Sequence, residues 1–121
     1  MSERTLIQLP LCREEIDVKL QGIDGQTKEY VLIELDGTAR DEYLTDMSKR
    51  MKTVNGQTEI KDYKGLQAQL ICMCMRNKAN NEQVEINDCQ TFPGKTITKL
   101  FEACQKLNGL DSDASKTAKN D

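Results

Sequence analysis

The chain has 121 residues, and its 17 Lys and Arg stand against 20 Asp and Glu for a formal net charge of −3. That balance disfavours a nucleic-acid partner, because phosphate contacts need a surplus of basic side chains. His is absent, which removes Ser–His and Cys–His nucleophiles and most catalytic zinc sites.

Aromatic residues are 4% with no Trp, so aliphatic, Met and Cys side chains must fill the interior. No segment approaches the roughly 18 apolar residues of a membrane helix, and Met1–Pro10 lacks a signal-peptide core. The expectation is one cytoplasmic domain over residues 1–110 that does not enter a membrane. It begins with a lead-in arm over residues 1–11. In that setting Cys12, Cys72, Cys74, Cys89 and Cys104 read as small hydrophobes and not as a disulfide framework.

Glu15–Gly22 alternates, with Ile16, Val18 and Leu20 on one side and Asp17, Lys19 and Gln21 on the other, as a half-buried strand does. Asp24-Gly25 is a turn signal, and Tyr30–Ile33 within Thr27–Leu35 is a β-branched run of strand length. Together they predict an antiparallel hairpin that needs a further layer to rest on. Thr38 is the expected N-cap of a first helix, with Asp41 three residues on. Ala39, Tyr43, Leu44, Met47, Met51 and Val54 then follow at helical spacing, and Asn55-Gly56 is read as the stop.

A second helix is expected from Asp62 to about Arg76. Its end, Leu70-Ile71-Cys72-Met73-Cys74-Met75, is apolar without a break, so it must be buried on every side or lie at an interface. Asn77–Asn87 reads as a polar loop in which Val84 and Ile86 make a short extended contact. Phe92-Pro93-Gly94 opens a third helix with the stripe Ile97, Leu100, Phe101, Cys104 and Leu107, and Asn108-Gly109-Leu110 caps it. Asp111–Asp121 has no large apolar residue and reads as a disordered tail. The fold class expected is therefore α+β, an N-terminal antiparallel hairpin packed on about three helices.

No catalytic constellation emerges. Glu14-Glu15 and Asp41-Glu42 are adjacent in sequence, so their carboxylates diverge and form no general acid–base pair. Cys72-Met73-Cys74-Met75 offers four soft donors of the kind Cu(I) prefers, but successive helical side chains point about 100° apart and do not converge on one ion. The reading is a non-enzyme with no cofactor and no metal. Arg40 projects within the apolar arc of the first helix, either as a snorkelling side chain or as one half of an interfacial ion pair. Four of the five Met fall in the first two helices, as core filler or as an adaptable binding surface.

The ordered series Glu34-Leu35-Asp36-Gly37-Thr38-Ala39-Arg40-Asp41-Glu42-Tyr43-Leu44, Lys64-Gly65-Leu66-Gln67-Ala68-Gln69-Leu70-Ile71, Phe92-Pro93 and Leu100-Phe101-Glu102-Ala103-Cys104-Gln105-Lys106-Leu107-Asn108-Gly109-Leu110 resembles the tail assembly chaperones of long-tailed bacteriophages and prophages. The likeness covers Glu15 to Leu110 and is carried by order and spacing more than by any one piece. It implies an assembly factor that binds the tape measure protein, keeps it soluble, helps recruit tail tube protein, self-associates and is left out of the virion. The alternatives are a small structural tail or head–tail joining protein retained in the particle, and a sulfur-rich metal-handling protein.

The candidate partner-binding residues come from the apolar pattern and not from the family: Arg40, Met47, Met51, Cys72, Met73 and Met75. Many members of the family also occur as a longer frameshifted product. Ala118-Lys119-Asn120 is compatible with the slippery heptamer A-AAA-AAC, which marks these residues as the expected frameshift position.

Overall fold

The computed structural model describes residues 4–22, 24–60 and 64–110. The expected tail at Asp111–Asp121, the frameshift position within it, Asp62 and Tyr63 at the expected start of the second helix, and Ile23 in the first turn lie outside them. Among the described residues no helix is long and apolar enough to cross a membrane.

The fold is α+β. Strands β1 (Glu15–Gln21) and β2 (Thr27–Ile33) form the expected hairpin, in register from Glu15 opposite Ile33 to Gln21 opposite Thr27. Val18 faces Tyr30 and Ile16 faces Leu32, so the alternation of both strands puts one apolar face toward the helices. The turn is closed by the Gly22 amide donating to the Gln26 carbonyl at 2.7 Å, with Gly25 at a φ of +81° that favours glycine.

Helix α1 (Gly37–Lys49) starts earlier and stops sooner than its apolar spacing predicts. Its N-cap is Asp36, not Thr38: an Asp36 carboxylate oxygen accepts from the Ala39 amide at 2.9 Å. A side chain on the residue immediately before the helix reaches the amide of the third helical residue, whereas Thr38 already sits inside the first turn. Met51 and Val54, expected on the helix, belong instead to a second hairpin of β3 (Met51–Val54) and β4 (Gln57–Ile60). Asn55-Gly56 is its turn, with φ of +51° and +80°. Positive φ at both central positions is the backbone of a type I′ turn, whose twist matches that of paired strands.

Helix α2 (Leu66–Cys74) is also shorter than expected, because the chain leaves it for strand β5 (Met75–Asn77). β5 adds antiparallel to β2, with Met75 opposite Leu32 and Tyr30 opposite Asn77, giving a three-stranded sheet in the order β1-β2-β5. Residues 78–84 turn back along β5. The Val84 amide donates to the Met75 carbonyl at 3.1 Å, and buried Val84 fulfils its expected extended contact. Ile86 instead opens a single turn, α3 (Ile86–Cys89).

Helix α4 (Gly94–Leu107) follows Pro93 as expected. It ends with the Leu110 amide donating to the Gln105 carbonyl and the Gly109 amide to that of Lys106, a Schellman motif with Gly109 at φ +67°.

The core lies between the sheet and the helices. Tyr30, Leu32 and Met75 of the sheet meet Leu70, Ile71 and Cys74 of α2, and Leu100, Cys104 and Leu107 of α4 close the other side. α2 touches α1, β2, α3 and α4. Its unbroken apolar end is therefore explained by burial.

One buried polar residue joins three of these elements. The Asn108 side-chain oxygen accepts from the Leu35 amide at 2.8 Å, and its nitrogen donates to the Cys104 carbonyl at 2.8 Å and contacts the Cys74 sulfur at 3.4 Å. Removing the carboxamide strands a buried backbone amide, a loss of about 1–3 kcal/mol. Asn108→Ala is expected to lower unfolding free energy by about 2–3 kcal/mol in a denaturant titration, with additional loss from the vacated volume.

Candidate partner-binding surface

The six residues singled out from sequence do not form one surface. Met75 is fully buried at the start of β5, opposite Leu32, and cannot meet a partner in this fold. The sequence-based placement of Met75 on the second helix as a partner-binding residue is corrected by the helix-to-strand break at Cys74–Met75. Met47 and Met73 are half-buried and pack against the core. Cys72 is half-buried on α2, and its thiol donates to the Gln69 carbonyl at 3.2 Å. Arg40 is half-buried on the first turn of α1. Met51 is the most open of the six, at 43% exposure on β3.

Leu44 on α1 is exposed, as are Met51 and Val54 on β3. The β3–β4 hairpin is held at its base by a polar relay. Arg50 donates to the Lys64 carbonyl at 2.8 Å and to the Gln69 side-chain oxygen at 3.2 Å, and the Gln69 amide donates to Asp46 at 2.9 Å.

A groove of about 430 Å³ opens between the β1–β2 turn and the start of α4, within the size range of small-ligand and peptide-anchor pockets. Leu20, Tyr30, Phe92 and Pro93 supply its apolar walls, and Asp24 and Lys28 stand at its margin. Tyr30 and Phe92 pack edge to face with centroids 6.4 Å apart, which fixes the floor. Sequence inspection missed this groove because its walls come from strands and a helix start some 60 residues apart. The only local cue is that Phe92 and Pro93 sit just before the α4 stripe.

The sulfur residues assemble inside. Cys74, Cys89 and Cys104 are buried, while Cys12 is exposed. Among the described residues no three His, Cys, Asp or Glu side chains are placed to hold a metal ion. Burial, with a smaller push from Cys72, raises the Cys89 thiol to about 11. Burial likewise raises Cys72, and a hydrogen bond with Cys74 together with burial holds Cys104 protonated. Raised thiols disfavour the thiolate, the reactive form, at Cys72, Cys89 and Cys104, whereas hydrogen bonds with Cys104 and Asn108 lower the Cys74 thiol against the effect of its burial.

No protein-family model matches the chain, and comparisons with curated proteins and with solved structures give no match.

Two measurements follow from the buried positions. Met75→Ala is expected to cost about 2–5 kcal/mol of stability, as for other large-to-small core changes, and to do so with no partner present. The second is pH dependence. The folded chain holds the Cys89 proton up to about pH 11, whereas the ordinary thiol releases it near pH 9. The unfolded state therefore binds fewer protons between these values, and stability falls as pH rises through that window. Denaturant titrations are expected to show full stability at pH 8 and a loss of roughly 2–3 kcal/mol by pH 11 from Cys89.

Proposed function

We propose that the protein is a tail assembly chaperone of long-tailed bacteriophages and prophages. It acts in the host cytoplasm, binds the tape measure protein, keeps it soluble while tail tube protein gathers around it, and leaves before the particle is complete. Self-association belongs to the same reading.

The support is the ordered likeness from Glu15 to Leu110 together with one structural observation. The groove walled by Leu20, Tyr30, Phe92 and Pro93 is apolar, open and preformed on a chain whose core is already filled. A tape measure protein exposes long apolar helical stripes. A groove of this kind receives one or two anchoring side chains from such a helix, as in helix-in-groove recognition. Asp24 and Lys28 at the margin give either charge sign a place to pair. The role needs apolar area and adaptability, with no reacting group.

Co-expression with the tape measure gene tests the reading. Wild-type chain is expected to raise the soluble fraction of tape measure protein and to co-purify with it. Thr96 lines the groove, and Thr96→Arg, which fills it while leaving the core intact, is expected to lose most of that effect. An unchanged soluble fraction with the wild-type chain overturns the proposal. Mass spectrometry of purified virions separates it from the structural alternative: a chaperone is missing from the particle and a joining protein is present.

A further inference from the structure

Asn-Gly occurs twice in the chain, at Asn55-Gly56 and at Asn108-Gly109. The backbone nitrogen that follows an Asn can attack that residue's own side-chain carbonyl. A Gly at that place leaves the approach open, because it has no Cβ and the fewest backbone restrictions. The fold treats the two pairs in opposite ways.

Asn108 is 7% exposed. Its side-chain oxygen accepts from the Leu35 amide and its nitrogen donates to the Cys104 carbonyl. The Gly109 amide donates to the Lys106 carbonyl at 3.1 Å. Both reacting groups are thus engaged, and freeing them means dismantling the joint between β2, α2 and α4.

Asn55 and Gly56 are exposed at the tip of the β3–β4 hairpin. Among the described residues neither the Asn55 side chain nor the Gly56 amide makes a hydrogen bond. Nothing lies within 4 Å of where a Gly56 Cβ would stand. In the closed type I′ turn the Gly56 nitrogen is turned away from the Asn55 side chain, so attack requires rotation about the Asn55 Cα–C bond and release of the turn. That release costs little here. Every strand residue of the hairpin except Ile60 is exposed, and none of them packs in the core. The hairpin is tied to the fold through β3 against α1 and through the Arg50 relay at its base, both remote from the tip. A two-stranded hairpin with so little support is marginal.

We propose that Asn55 is a site of self-modification, at which the Gly56 nitrogen closes onto the Asn55 Cγ. A new N–C bond forms, the Gly56 N–H proton passes to solvent, and the Asn55 side-chain nitrogen takes up a proton and departs as ammonia. The product is a five-membered succinimide. Water then adds to either of its two carbonyls and opens the ring, leaving aspartate or isoaspartate. The net change is one amide and one water converted to one acid and one ammonia, with no oxidant or reductant.

Each event places a negative charge at the hairpin tip, since a carboxylate is ionised at neutral pH. Isoaspartate also routes the main chain through the side-chain carbon. The turn is then longer by one atom and no longer fits the register of Val54 opposite Gln57. The chemistry therefore converts a paired hairpin into an acidic, open loop.

Tryptic mass spectrometry of the full wild-type chain tests this after incubation in mildly alkaline buffer, with the starting material as the zero point. Residues 53–61 and residues 107–116 fall in separate peptides, so the two Asn-Gly pairs are read independently. In the folded chain the amide-to-acid mass gain is expected at Asn55 at least about a hundredfold faster than at Asn108, because the latter waits on opening of the core. In denaturant the two rates are expected to converge to within about threefold, since the dipeptides are the same. An Asn55 that stays intact in the folded chain while the denatured chain reacts overturns the proposal, as does a folded-state Asn108 that keeps pace with Asn55. Hydrogen exchange of the isolated isoaspartyl product is expected to show protection lost across β3 and β4 and kept in β1, β2 and α4. Unchanged protection across β3 and β4 overturns the claim that the modification opens the hairpin.

Discussion

The Asn108 carboxamide is the contact on which the arrangement of sheet and helices turns. It lies one residue past α4, yet it satisfies the Leu35 amide just after β2 and reaches Cys74 at the end of α2. Three elements that leave the core in different directions are thus fixed at one point. A buried amide group is costly unless its donors and acceptors are matched, so its three contacts specify the geometry more sharply than apolar packing does. No buried side-chain nitrogen or oxygen among the described residues lacks a partner.

Around that point the core combines branched aliphatic side chains with small ones, Ala68, Cys74, Cys89 and Cys104. With few aromatics, α2 meets α4 through Ala68, Cys74 and Cys104, which let the two backbones approach closely, while Leu70 and Ile71 fill the space under the sheet. Buried thiols serve here as compact hydrophobes that also accept weak hydrogen bonds, as Cys74 does from Asn108.

Elements whose periodicity and punctuation agree were legible in the sequence. The β1–β2 hairpin has strict alternation and a glycine turn. α4 has a single apolar stripe bounded by Pro93 and Gly109. Where the two signals could be read together in more than one way, the reading failed. Met51 and Val54 happen to continue the i, i+3, i+4 spacing of α1, so Asn55-Gly56 looked like a helix stop, although the same dipeptide between β-compatible residues is a hairpin signal. Within Leu70–Met75 every residue is apolar, and no periodicity marks where helix yields to strand at Met75. That one break moved Met75 from a proposed surface into the core. The groove was illegible for a different reason: it exists only where the β1–β2 turn meets Pro93.

The surfaces left over are set by how the core is completed. Once the face of α2 is covered by the sheet, α1, α3 and α4, the described core leaves Leu6, Ile7, Leu9 and Leu11 outside it and exposed. The groove has a different origin: it lies at the far end of β1, beside Leu20 and Gln21, where the hairpin turn meets Phe92 and Pro93 and neither element is long enough to cover the other.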